Sequence, residues 1–245
     1  MEQASAGEVV GRHVGSRVTS GVPAVSDELV GAALLAALEQ RFADDLRPPL
    51  EPQAIIHPNG FVKLPLARTA GGAARLFLHV WQAGSADADV HDHRWAFASA
   101  VLRGELSHTL MDVTVTPGSA GGRGRERGRG RGRDERLTGA FAVARYRPGV
   151  GTHCFDVSRR ERAVVNHRRT HVFPAGRRYG MEAFVFHRAH ALAGAMTFVA
   201  RGLPQRPYAR VLLDDETSTP VMKPWRPLDA VERRQHLRDA LEALG

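Results

Sequence analysis

The stretch Gly84–Gly104, GSADADVHDHRWAFASAVLRG, decides how the rest of the chain is read. His91 and His93 stand two apart in a segment that reads as a β-strand. Side chains alternate across a strand with period two, so both imidazoles fall on one face. The same alternation sends Trp95 and Phe97 inward with them and turns Asp92, Arg94 and Ala96 outward. Two imidazoles converging from one strand are half of a metal site, since neutral imidazole ligates iron, copper, zinc and nickel. The apolar run AVL followed by Gly104 closes the segment in a turn.

Working outward, 245 residues suffice for one sizeable core, and 43% hydrophobic with 24% charged residues is ordinary for a globular chain. No apolar run approaches the ~20 residues of a membrane span, and the N-terminus lacks the apolar centre of a secretory signal. A lone Cys154 excludes an intrachain disulfide and suits a reducing compartment, so a cytoplasmic protein without a membrane partner is expected. The net charge of +8 invites a nucleic-acid reading, but half of it sits in residues 121–136, GGRGRERGRGRGRDER. That segment has no apolar residue to bury and no aromatic to stack on bases. It reads as part of a disordered Arg/Gly loop, 118–136, and a nucleic-acid partner is disfavoured.

In chain order, residues 1–25 read as a disordered tail. Residues 26–53 read as a helix and linker, with Ser26 as N-cap, a stripe of Val30, Leu34, Leu38 and Phe42, and the breaker RPPLEPQ. From 54 to 212, short β-like runs such as ARLFLHVW, ELSHTLMDVTVT and AFAVARYRP alternate with Gly/Pro turns and predict an all-β barrel or sandwich. Residues 213–245 read as a helical tail, with Leu237, Leu241 and Leu244 on one face. Exposed sheet edges in such a domain leave a homodimer open.

A third ligand must come from a later strand. His187, on the apolar alternating run in GRRYGMEAFVFHRAH, is the best candidate, with His153, His171 and His190 as rivals. With these residues the chain resembles the cupin superfamily. Its first motif places Gly, His-x-His, Glu and Gly in order, and here His91, His93 and Gly104 fit while Phe97 takes the Glu position. Gly84 lies one residue too far upstream. The second motif, anchored on His187, finds Gly176 in place but Glu182 and Phe184 where Pro and the inner Gly stand, and Ala191 at the trailing Asn.

The resemblance implies a double-stranded β-helix (cupin/jelly-roll) barrel with N- and C-terminal helices. Loss of the Glu makes the site similar to three-histidine cupin dioxygenases, the thiol dioxygenases such as cysteine dioxygenase. By that resemblance His91, His93 and His187 hold Fe(II), with Zn, Mn, Ni and Cu as alternatives, and Tyr179 brings a catalytic phenol near the site. The partners are then O2 and a small polar substrate, in a pocket lined by Trp95, Phe97, His79 and Trp81. Arg75, Arg94, Arg103 and Lys63 are weak candidates for attracting an anionic substrate, Arg94 because alternation turns it outward. A non-oxidative metal-dependent cupin (isomerase, lyase or hydrolase) and a ligand-binding cupin without catalysis are the rival readings.

Overall fold

The computed structural model describes residues 53–243, apart from 69–71, 73, 83–86, 88, 118–139, 149–150, 215–216 and 218. The expected N-terminal tail and helix, the Arg/Gly loop and Gly84 lie outside the described residues.

Strands dominate and form two antiparallel sheets. The first runs in the order β10 (Arg178–Met181), β5 (Phe97–Arg103), β12 (Met196–Arg201), β3 (Arg75–Trp81), β2 (Phe61–Arg68), β1 (Ile55–Ile56) and β15 (Arg226–Pro227). The second runs β13 (Ala209–Asp214), β4 (Val90–His91), β11 (Phe186–Ala191), β6 (Glu105–Thr116), β9 (Arg162–Pro174), β7 (Ala140–Pro148), β8 (Thr152–Asp156) and β14 (Val221–Pro224). This is the all-β architecture expected from the strand spacing, with a C-terminal helix. β13 pairs with β7 as well as β4, so β13, β4, β11, β6, β9 and β7 close into a ring.

Period-two alternation sorts the side chains of each sheet. On β2 and β3, Val62, Leu64, Leu78 and Val80 point to one core, while Phe61, Lys63, Phe77, His79 and Trp81 line a cavity on the other face. Helix α1 (Ala230–Glu242) covers the first of these faces with Leu237 and Ala240. Burying Leu237 completely contributes about 1.5–3 kcal/mol. A capping box starts the helix: the Asp229 side chain accepts from the Glu232 N–H, and the Glu232 carboxylate accepts from the Asp229 N–H. The helical tail is therefore shorter than 213–245. β13 runs on to Asp214, and the short strands β14 and β15 pair back onto β8 and β1 before the helix begins.

Gly104 turns β5 into β6 with φ +75°, and a Cβ there would meet Ala195 Cβ at 3.0 Å. Conformation and space both require glycine at this turn.

Candidate metal centre

His91 and His187 are brought together by strand pairing: β4 and β11 are antiparallel neighbours, and His187 lies directly opposite His91. Their rings lie 4.6 Å apart between centroids, and His93 is 5.0 Å from His91 and 4.9 Å from His187. One donor atom from each of the three falls within 4.8 Å of the others.

Second contacts settle which nitrogens face the site. His91 Nδ1 lies 3.2 Å from the Asp89 carbonyl and His187 Nδ1 lies 3.3 Å from the Val185 carbonyl. A carbonyl only accepts, so Nδ1–H is the donor in both rings and the Nε2 lone pair is left for a ligand. The Asp87 carboxylate lies 3.9 Å from His91 Nδ1 and is held by Asn59 Nδ2 at 2.6 Å and the Ala189 N–H at 2.8 Å. Burial raises the Asp87 pKa. Burial, and then the neighbouring histidines, hold His93 and His187 well below the usual imidazole range. Neutral rings are what a divalent cation requires, so this donor set fits a metal.

The alternation predicted beyond His91 fails at the next residue. β4 ends at His91, and Asp92, expected to face outward, is 0% exposed. Its carboxylate accepts from the Arg210 N–H and Nε, both at 2.7 Å, and from Arg206. The local cause is a change of pairing: the Asp92 N–H donates to the Arg210 carbonyl at 2.9 Å while the chain leaves the strand. His93 therefore lies outside the strand. Its carbonyl accepts from the Phe184 N–H at 2.8 Å, and Phe184 occupies the second motif's inner glycine position with φ 71°. That left-handed backbone costs a bulky residue of order 1–3 kcal/mol. Trp95 stacks against His93 at 5.6 Å, and Phe97 meets the same ring edge-on at 5.3 Å.

The three histidines line a cavity of about 160 Å³, together with Trp95, Phe97, His79 and Trp81. A cavity near 150 Å³ holds a benzene-sized molecule. His79 Nε2 and Trp81 Nε1 are buried without a hydrogen-bond partner, leaving two polar atoms for a ligand or water to satisfy. Lys63 also lines the cavity, and burial, then Arg201 and Arg75, lowers its pKa to about 7. The rival ligands lie outside the three-histidine cluster. His153 faces the same cavity beside His57 and Tyr146, His171 stacks on Phe173 of β9, and His190 is exposed.

Tyr179 lies in the cavity wall, and its hydroxyl is 2.9 Å from His108 Nε2. Burial pushes the phenol pKa up and pulls His108 down to about 3. The His108 ring is 5.2 Å from that of His187, and its Nδ1 is buried without a partner. The sequence reading did not single out His108, although Leu106, His108 and Leu110 alternate on the buried face of β6. Its signal was a histidine at a core position of an otherwise apolar run.

No family model matches the chain, and no curated protein matches it. Among solved structures, an oxalate oxidase in complex with the substrate analogue glycolate is similar over 68% of this chain and 63% of its own, at 14% identity and a TM-score of 0.34. A second oxalate oxidase structure covers 82% of this chain and 79% of its own at 14% identity and a TM-score of 0.34. The Lactobacillus farciminis oxalate decarboxylase formate complex is similar over 70% of this chain and 36% of its own, at 12% identity and a TM-score of 0.31. Among the described residues no helix is long and apolar enough to cross a membrane.

Proposed function

We propose that the chain is a mononuclear metal-dependent enzyme of oxygenase or dioxygenase type, with His91, His93 and His187 holding Fe(II) and a small polar metabolite as substrate. One observation carries this reading: three buried or half-buried imidazoles face one another at the wall of an aromatic cavity, and Phe97, at the Glu position of the motif the sequence resembles, packs against His93. Three neutral donors leave the charge of a divalent ion uncompensated, which favours an anionic substrate atom as a further ligand. When bound, the ion would supply Lewis acidity and, as iron, one-electron chemistry toward O2.

The remaining work falls to the chain. The Asp89 and Val185 carbonyls orient the imidazoles, and Phe97, Trp95 and Trp81 narrow the cavity and exclude water. The hydrogen-bonded His108 and Tyr179 offer a proton donor and acceptor at the same wall. Anaerobic purification and elemental analysis test the reading. One iron per chain, with substrate-dependent O2 uptake, supports it. Zinc, manganese or nickel without O2 uptake overturns it in favour of a non-oxidative metal-dependent enzyme. The buried His108–Tyr179 pair favours that second reading, since acid–base chemistry can use it without any redox step.

A further inference from the structure

Beside the cavity lies a smaller one of about 100 Å³, lined by Arg75, Arg94 and Arg201. Strand register produces this grouping. Arg75 on β3 is directly opposite Arg201 on β12, and Arg68 on β2 is directly opposite Arg75. Like charges facing each other across neighbouring strands destabilise a sheet. No carboxylate among the described residues pairs with Arg68, Arg75, Arg94 or Arg201 to relieve this row. The Arg201 Nε–H is buried without a hydrogen-bond acceptor among the described residues, a donor that an oxygen ligand would satisfy.

The same indole gathers two of these cations. Arg94 lies 5.2 Å and Arg201 4.2 Å from the Trp95 ring centroid, and Trp95 stacks on His93. Arg201 lines both cavities, so the arginine pocket is one aromatic ring away from a candidate metal ligand. Burial, and then Arg75 and Arg94, lowers the Arg201 pKa to about 10, in keeping with cations that lack a counter-charge.

We propose that Arg75, Arg94 and Arg201 form an anchoring site for a tetrahedral, phosphate-type dianion, carried by a substrate whose reacting end enters the three-histidine cavity. Charge decides between anions. A phosphate group carries about −1.5 to −2 with three acceptor oxygens and can engage several guanidinium forks, whereas a carboxylate offers one charge and two oxygens. That the anion belongs to the substrate rests on reading the cavity as the reaction site; the anion site itself does not.

Inorganic phosphate is the probe, titrated calorimetrically into the full-length chain in low-salt, anion-free buffer. Saturable binding is expected, at least tenfold tighter than acetate, and weakened at least tenfold by Arg75→Gln. Arg201→Gln should weaken it further, and Arg75→Gln serves if that variant fails to fold. Arg103→Gln, a control whose Nε donates to the Gly194 carbonyl, should leave it unchanged. Absence of saturable binding, equal affinity for acetate, or full affinity in Arg75→Gln would overturn the proposal. His187→Ala separates the two readings: it should keep phosphate affinity while losing metal, whereas phosphate binding in a chain that never takes up metal would leave the anion site standing without the metal reading.

Discussion

The closed strand ring and the cavity share strands, yet one is filled by aliphatic and aromatic side chains and the other is lined by aromatic rings and histidines. Each of β4, β11 and β13 sends one residue to the ring interior and its neighbour to the cavity: Val90 and His91, Phe186 and His187, Leu212 and Val211. All six ring strands contribute to one apolar cluster, which also includes Met111, Phe141, Val143 and Ala163. The period-two geometry of a strand therefore lets the ring act as a rigid mount for imidazoles on its outer side. Stability and chemistry are separated by one position in sequence.

Adjacent substitutions on β11 should break this comparison most clearly. Phe186→Ala should cost about 3–5 kcal/mol in denaturant unfolding while the folded fraction still retains metal. His187→Ala should abolish metal retention by elemental analysis with the fold intact. If Phe186→Ala instead loses metal at full stability, the division between ring and cavity is wrong. Next in size is Asp92→Ala, which strands Arg206 and Arg210 beside the ring's β4 edge and should cost about 3 kcal/mol. Val90→Ala, a smaller deletion inside the ring, should cost about 2 kcal/mol in the same assay and leave metal content unchanged.

The cavity side should show itself through pH. His108 is held down to about 3 by burial, so its stabilising contribution is full above the unfolded value of 6.5 and is lost as pH falls from 6.5 toward 3. Stability of the metal-free chain should fall with acid over that window, with His108 alone contributing at most roughly 1.4 kcal/mol per pH unit. His108→Asn should flatten this slope in unfolding curves recorded from pH 7 to 4. An unchanged slope would place the acid-sensitive groups elsewhere in the cavity.

Much of the site was legible because it rests on alternation within single strands. His79 and Trp81, spaced two apart on β3, both line the cavity, and Trp95 and Phe97 join them. The expectation failed at Asp92, where a two-residue strand ends and alternation no longer applies. His108 escaped notice because a core histidine and a site histidine share the same local pattern. Arg75 and Arg201 are separated by 126 positions, and their opposition is a matter of register between strands.

By itself, the sequence determined the all-β class and the turn at Gly104, since these follow from local periodicity and backbone sterics. Only the tertiary structure decided that His187 stands opposite His91, that His153, His171 and His190 fall outside the three-histidine cluster, and that β13 closes the ring by reaching β7. The physical reason is that strand pairing joins residues distant in sequence, and no local pattern encodes which strands will meet.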